Sequence, residues 1–484
     1  MGNAAQELEV DVAVIGAGTA GLVAYHQASK HTDKVVLIEG GPYGTTCARV
    51  GCMPSKLLIA AAEAAHSARH VDQFGVYAQS VRVDGKAVME RVRKERDRFV
   101  GFVLESVDNI PEDRRIRGMA RFENEHTLLI DNGPRIHAGR VVIATGSRSN
   151  VVPFLNDAGS RLVTNEDLFD WEDLPESVAV FGPGLIGLEI GQALARLDVR
   201  VTMFGVSGAV GGIQDPDMRR MALETFNREF SLDPDAETTG IREVENGVEV
   251  SYRDDNGNEV SDVFEYVLAA TGRRPNVDGL ALENTGLALD DRGMPEFDRY
   301  TMRCGESSIF IAGDANNQLP LLHEAADEGR IAGANAGSYP QVHSGLRSTP
   351  LSVVFTDPQI ASVGLTIQQT EEQCRDLFAV GSVNFADQGR SRILGRNLGL
   401  LRVYGEHGTG RFMGAEMFAP AAEHIAHLLA WSAQQHMCVT EMLDMPFYHP
   451  VIEEGLRSAL RDLHDQLKLG PELDDEFMDC GPGT

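Results

Sequence analysis

Cys47 and Cys52 stand five positions apart in "TTCARVGCMPSK", just ahead of a helix-like run. Two thiols at that spacing can form a redox couple, a structural crosslink or half of a metal clip. Zinc needs two further ligands at recognisable spacing, and no CxxC or Cys/His cluster occurs nearby, so no metal is expected. A disulfide framework is equally unsupported, because Cys47, Cys52, Cys304, Cys374, Cys438 and Cys480 are scattered through 484 residues. A helix beginning near Cys52 would lower the pKa of a thiol at its N-terminus, and Arg49 between the cysteines adds positive charge. Both effects favour a reactive thiolate. Near the other end, "FYHPVIEEGL" sets His449 beside Glu453 and Glu454. A carboxylate on one imidazole nitrogen fixes the tautomer and supports the imidazolium, as a base for a thiol requires. Taken alone, one histidine among 14 reads more simply as structural.

These groups need a scaffold, and the chain offers the same one twice. Residues 9–15 form a β-branched run, "GAGTAG" follows with Gly16, Gly18 and Gly21, then comes a helix-like stretch and a strand, "KVVLIE", ending in Glu39. A glycine turn between strand and helix lets backbone approach a pyrophosphate, while an acid about 20 residues on takes ribose hydroxyls. The pattern returns at "SVAVFGPGLIGLEIGQALARLDVRVTMFG" with Gly182, Gly184 and Gly187. Two such folds imply two dinucleotides. The second strand ends at Gly205, where Glu39 sits in the first copy, and the next residues, "VSGAVGG", carry no Arg or Lys. NAD is expected there, because the 2′-phosphate of NADP needs positive charge; NADP stays open. "RVVIATGS", with Thr145 and Gly146, and "YVLAATGRRPN", with Gly272 and Arg273, read as strand-to-turn units passing close to a cofactor or marking a domain crossing. "SIFIAGDAN" ends a strand at Gly313-Asp314, where an acid could meet a ribityl hydroxyl or a phosphate-bound water.

The length suggests roughly three domains. After about residue 345 strands with turns precede an amphipathic helix and no phosphate loop occurs, so a third unit is expected to bind a partner subunit or shape the substrate site. A net charge of −29 opposes nucleic acid and anionic membrane as partners. Neither a secretory leader nor a membrane-length apolar window is present, which points to a cytoplasmic protein.

Taken together and in order, "GAGTAG…E", "TTCARVGCMPSK", "VVIATGS", "FGPGLIGLE", "AATGRRPN", "IFIAGDAN", "VVFTDPQIASVGLT" and "HPVIEEG" resemble the flavin-dependent pyridine nucleotide-disulfide oxidoreductases, from about residue 9 to 460. The resemblance implies an α/β fold with two Rossmann-like dinucleotide-binding domains and a C-terminal α+β dimerisation domain. Residues 1–150 and 276–345 would form the FAD domain, 151–275 the NAD(P) domain, and 346–484 the interface domain with an acidic tail. FAD would lie on Gly16, Gly18, Gly21, Glu39 and Asp314. Cys52 would face the flavin and Cys47 would exchange with substrate. Lys56 would sit near the flavin and pair with Glu189. His449 from the other subunit of a homodimer would be the base for Cys47, oriented by Glu454.

"LPLLHEAADEG", with His323, is most similar to the dihydrolipoamide dehydrogenase branch, which implies a dihydrolipoyl substrate, free or on a carrier protein. Reduction of another disulfide by NAD(P)H is the alternative, and a non-catalytic flavoprotein scaffold a remoter one. Three departures bear on the substrate. The usual Gly-Gly-Thr-Cys is Gly44-Thr45-Thr46-Cys47, and Arg49 stands in a segment between the cysteines that lacks the usual Asn. Phe447 and Val451 occupy positions that often hold a second His and a Thr, and Gly205 replaces the expected ribose acid. Cys480, near the C-terminus, reads as a spare thiol.

Overall fold

The computed structural model describes residues 7–254 and 256–469. Its first sheet is built around β1 (Glu7–Ile15), which pairs in parallel with β2 (Val35–Glu39) on one side and with the strand Arg135–Ile143 on the other. From Val12 to Ile15 every side chain of β1 is buried, as a strand covered on both faces requires. Arg115–Arg117 extends the sheet beyond β2, and two antiparallel strands, Thr127–Ile130 and Ala120–Asn124, extend the other edge. Ile309–Ile311 adds in parallel to Arg135–Ile143, so the chain leaves this sheet and returns to it much later.

The intervening residues build a second parallel sheet. Its order is Ser231–Asp233, Arg200–Phe204, Ser177–Phe181, Tyr266–Ala269, Leu162–Val163, with an antiparallel three-stranded sheet beside it. A two-stranded ribbon, Ser147–Ser149 against Arg273–Pro275, is where the chain crosses between the two units in both directions. From Leu351 onward an antiparallel five-stranded sheet packs against the helices Ala422–Gln434 and Glu454–Leu467.

Both parallel sheets turn into a helix through the same backbone device. Gly16 and Gly182 each have φ +106°, and a Cβ on either would strike the carbonyl of Ala144 or Ala270. Gly21 and Gly187 lie in the following helices, α1 (Thr19–Ala28) and Leu185–Arg196, where a Cβ would strike the carbonyl of Gly16 or Gly182. Only glycine permits that closeness.

Small residues also set how α1 meets the helix Leu322–Ser338. Side chains at Gly329 and Gly333 would run into the backbone carbonyls of Ala20 and Ala24. Alanine at 333 gains about 1 kcal/mol of helix propensity. Forcing the helices apart should nevertheless cost more, leaving a net loss of roughly 1–3 kcal/mol. A denaturation midpoint for Gly333→Ala equal to that of the parent would show that backbone contact does not set this spacing.

Candidate active site

Two helices meet at the dithiol. α2 (Thr46–Val50) carries Cys47, and α3 (Cys52–Arg69) begins at Cys52 after Gly51. Thr45 starts α2, its Oγ1 accepting the Ala48 N–H at 3.3 Å. Both sulfurs are free thiols, joined by a hydrogen bond from Cys47 to Cys52. That bond is the leading reason the Cys52 thiol is lowered to about 7, with the Lys56 ammonium assisting. Cys47 moves the other way, its proton held by the same bond and by burial. One sulfur is tuned as a thiolate and the other as its proton-bearing partner. The assisting charge belongs to Lys56, one helical turn along α3, and not to Arg49 as the spacing suggested. The Arg49 methylenes lie over Gly44.

Lys56 donates to both carboxylate oxygens of Glu189, at 2.9 and 2.8 Å. Glu189 lies on the helix that follows the second glycine loop and is buried, whereas Lys56 keeps 34 % of its side-chain exposure. The same carboxylate accepts the Phe355 N–H at 2.9 Å, and the Phe355 ring lies 4.5 Å from the Lys56 ammonium. A cavity of about 440 Å³ opens over this group and runs past Cys47, Cys52 and Lys56 to Gly18, Gly146, Gly313 and Asp314. Asp314 accepts the Ser147 hydroxyl at 2.6 Å, and Arg273 donates to that hydroxyl at 2.7 Å.

His449 does not line that cavity. It sits half-exposed on the third unit, its Nδ1 at 3.1 and 3.2 Å from the two oxygens of Glu454. Glu454 is buried and also accepts the Val451 N–H at 3.0 Å, so the imidazole is held by a fixed carboxylate with Nε2 left to face outward. Arg457 lies 3.5 Å from Glu454 and 5.7 Å over the ring of Phe447. One chain thus holds a dithiol and an oriented imidazole in separate places.

Residues 10–329 match the family model of the pyridine nucleotide-disulphide oxidoreductases, and residues 351–460 match the dimerisation domain of the same family. The chain belongs to the pyridine nucleotide-disulphide oxidoreductase family. A dihydrolipoyl dehydrogenase of Geobacillus stearothermophilus is 30 % identical over 92 % of this chain and 94 % of its own. One from Haloferax volcanii is 29 % identical over 93 % and 95 %. Two solved structures share the fold: LpdA of Mycobacterium tuberculosis, with TM-score 0.79 and 24 % identity over 93 % of this chain and 99 % of that one, and RclA of Escherichia coli, a HOCl-induced flavoprotein disulfide reductase, with TM-score 0.78 and 23 % identity over the same shares. The protein is therefore a flavin disulfide oxidoreductase that uses FAD and NAD(H), and its third unit is a dimerisation domain.

The residues present fit two dinucleotides. In each glycine loop the outer glycines are jammed against backbone, but Gly18 and Gly184 face open space, the room a phosphate needs. Gly146 and Gly272, with φ +67° and +96°, face open space as well. The Thr145 hydroxyl is buried without a partner among the described residues. Glu39 holds the first loop in shape, accepting the N–H groups of Ala17 at 2.7 Å and Gly41 at 2.6 Å.

At the second loop Gly205 has a packing reason. A Cβ there would come within 2.7 Å of the Pro234 carbonyl and 2.8 Å of the Pro183 ring. The segment after Ser231–Asp233 closes over this loop, with Ser207 N–H donating to Asp235 at 2.9 Å and Gly208 N–H to the Pro234 carbonyl at 3.0 Å. The acid near the strand end comes from the neighbouring segment. Phe355 and Asp235 escaped sequence reasoning because each reaches its place through long-range packing; a proline and two aspartates in "LDPDAE" were the available hint. Cys304 is an inert core thiol, pushed up to about 12 by burial, and Cys480 lies outside the described residues.

Two expectations follow. Ultraviolet thiolate absorbance of the reduced protein should titrate with a midpoint near 7, lost in Cys52→Ser and moved up towards the ordinary 9.0 in Cys47→Ala, which lacks the donor. The thiolate is present above that midpoint and protonates as pH falls through it; an unchanged midpoint in Cys47→Ala would remove the hydrogen bond as the cause. Second, Gly205→Glu should weaken NADH binding in a fluorescence titration, because the new side chain displaces the Pro234 turn. Tighter binding with unchanged stability would show that the loop has room.

Proposed function

We propose that the protein is an FAD-dependent dihydrolipoyl dehydrogenase that passes two electrons from a dihydrolipoyl dithiol through Cys47 and Cys52 to FAD and then to NAD. The dithiol lining one cavity with the Lys56–Glu189 pair carries this reading, with the likeness to dihydrolipoyl dehydrogenases across nearly the whole chain beside it. Residues 1–150 and 276–345 hold FAD on Gly16, Gly18, Gly21, Glu39, Lys56, Thr145, Gly146, Gly313 and Asp314. Residues 151–275 hold NAD on Gly182, Gly184, Gly187 and Gly272, while Arg273 serves the cofactor cavity at the crossing beside Ser147. Residues 346–484 form the interface domain. The setting is the cytoplasm; among the described residues no helix is long and apolar enough to cross a membrane.

With Cys47 and Cys52 joined as a disulfide, one substrate thiolate attacks the Cys47 sulfur and expels Cys52. A sulfur with a pKa of about 7 is a good leaving group, and the Lys56 charge stabilises it. The second substrate thiolate then attacks its own mixed-disulfide sulfur, which releases the cyclic disulfide and leaves Cys47 as a thiol. The substrate loses two electrons and the cysteine pair gains them. His449 of the partner subunit takes protons at Nε2 while Glu454 supports the imidazolium from Nδ1. When bound, FAD would supply a two-electron acceptor to the cysteine pair and NAD the final hydride acceptor. Lys56, fixed by Glu189, would hold a positive charge at the edge of the cavity that takes FAD.

The altered mouth, with Arg49, Phe447 and Val451, favours a second reading, reduction of a different disulfide by NAD(P)H, and the fold shared with a HOCl-induced flavoprotein disulfide reductase agrees with it. Steady-state rates separate the two. Dihydrolipoamide with NAD should turn over faster than any other disulfide with NADH or NADPH. Cys47→Ser should abolish that rate, and His449→Gln should lower it by about 10²–10⁴-fold. Negligible turnover of dihydrolipoamide beside rapid NAD(P)H-dependent reduction of another disulfide would replace the first reading with the second.

A further inference from the structure

The turn between the two cysteines contains a backbone group that its own helices cannot satisfy. Val50 ends α2, and its carbonyl would ordinarily accept the N–H four residues on, but residue 54 is proline and has none. The first bond of the next turn is Ser55 N–H to Gly51, at 3.2 Å. The Val50 carbonyl is served from another unit: Asn165, just beyond the short strand Leu162–Val163, donates its Nδ2 at 2.8 Å. Asn165 is 5 % exposed and lines the dithiol cavity. Its Oδ1 accepts the hydroxyl of Ser149 at 2.9 Å, which turns the amide so that nitrogen, not oxygen, faces Val50. Ser149 belongs to the crossing ribbon.

We propose that Asn165 is a positioning residue for the dithiol, capping Val50 so that the five-residue helix bearing Cys47 stays in register with Cys52, with Ser149 setting the direction of the cap. A helix this short has little stability of its own. Without the cap the carbonyl turns towards solvent and carries α2 with it, and the hydrogen bond between the sulfurs lengthens. That bond is the leading influence on Cys52, so the loss reads out at a sulfur that Asn165 does not touch. The ribbon that joins the two dinucleotide units thereby also clamps the redox turn.

This inference rests on the dithiol being the working redox pair, and its test needs no substrate. Thiolate absorbance of the reduced holoenzyme is followed against pH in the parent, Asn165→Leu and Ser149→Ala, with Cys52→Ser as blank. Leucine matches the size of asparagine and adds no charge. The midpoint near 7 should rise by about one pH unit in Asn165→Leu, a roughly tenfold loss of thiolate below neutrality. Ser149→Ala, which frees the amide to flip, should shift it less in the same direction. A merely structural role would lower the denaturation temperature and leave the midpoint in place. An unchanged midpoint in Asn165→Leu overturns the proposal; if that variant does not fold, an unchanged midpoint in Ser149→Ala overturns it. Failure of dihydrolipoamide as substrate leaves the titration, and this inference, standing.

Discussion

One carboxylate holds the three units of this protein in register. Glu189 leaves the second dinucleotide unit, receives the Lys56 ammonium from the helix that begins at Cys52, and receives the Phe355 N–H from the dimerisation domain. A buried carboxylate is costly unless its lone pairs are filled, and these are filled from two other units. The helix Leu185–Arg196 repeats the arrangement along the same face. Gln192 donates to the Asp357 carbonyl and accepts the Asp357 N–H, and Arg196 pairs with Glu229 and Asp357. Directional bonds at Glu189, Gln192 and Arg196 give this seam one register, where apolar packing alone would tolerate sliding.

The same pair joins architecture to chemistry. Lys56 is one charge serving two anions: it neutralises Glu189 and lies near enough to Cys52 to favour its thiolate. Were Glu189 absent, the ammonium would be free to collapse onto the sulfur or swing out to water. Were Lys56 absent, Glu189 would raise the Cys52 pKa by its own charge, an influence already felt. The dithiol's asymmetry therefore depends on a contact between domains, and the seam that fixes the domains also fixes the sulfur.

Both glycine loops were legible because their cause is local: strand, positive φ, and a helix crossing its own turn within a few residues. The Lys56–Glu189 pair was legible only through resemblance, since no spacing rule joins residues so far apart in sequence. Arg49 was misjudged because spacing places a charge on a segment but does not say where the side chain goes; its methylenes lie over Gly44, and the charge that lowers Cys52 is that of Lys56. Gly205 looked like a missing ribose acid and is a packing requirement of Pro234. Pro54 was in plain view, but an orphaned carbonyl becomes a clue only when its partner, Asn165, is seen to arrive from another unit.

His449 states the remaining constraint. Its carboxylate partner is buried and held by a backbone N–H, yet the imidazole itself is half-exposed and lies outside its own chain's dithiol cavity. An oriented base facing solvent does no work for a thiol on the same chain. On a dimerisation domain the role proposed for it gives it a use: a second copy would bring its dithiol cavity to the Nε2. Neighbouring apolar groups left at the surface, Met445 and Tyr448 beside the histidine and Trp431 on the helix Ala422–Gln434, are the kind of surface a partner covers. On that reading each centre takes its sulfurs from one chain and its base from the other, and dissociation would separate the two while leaving both folds intact.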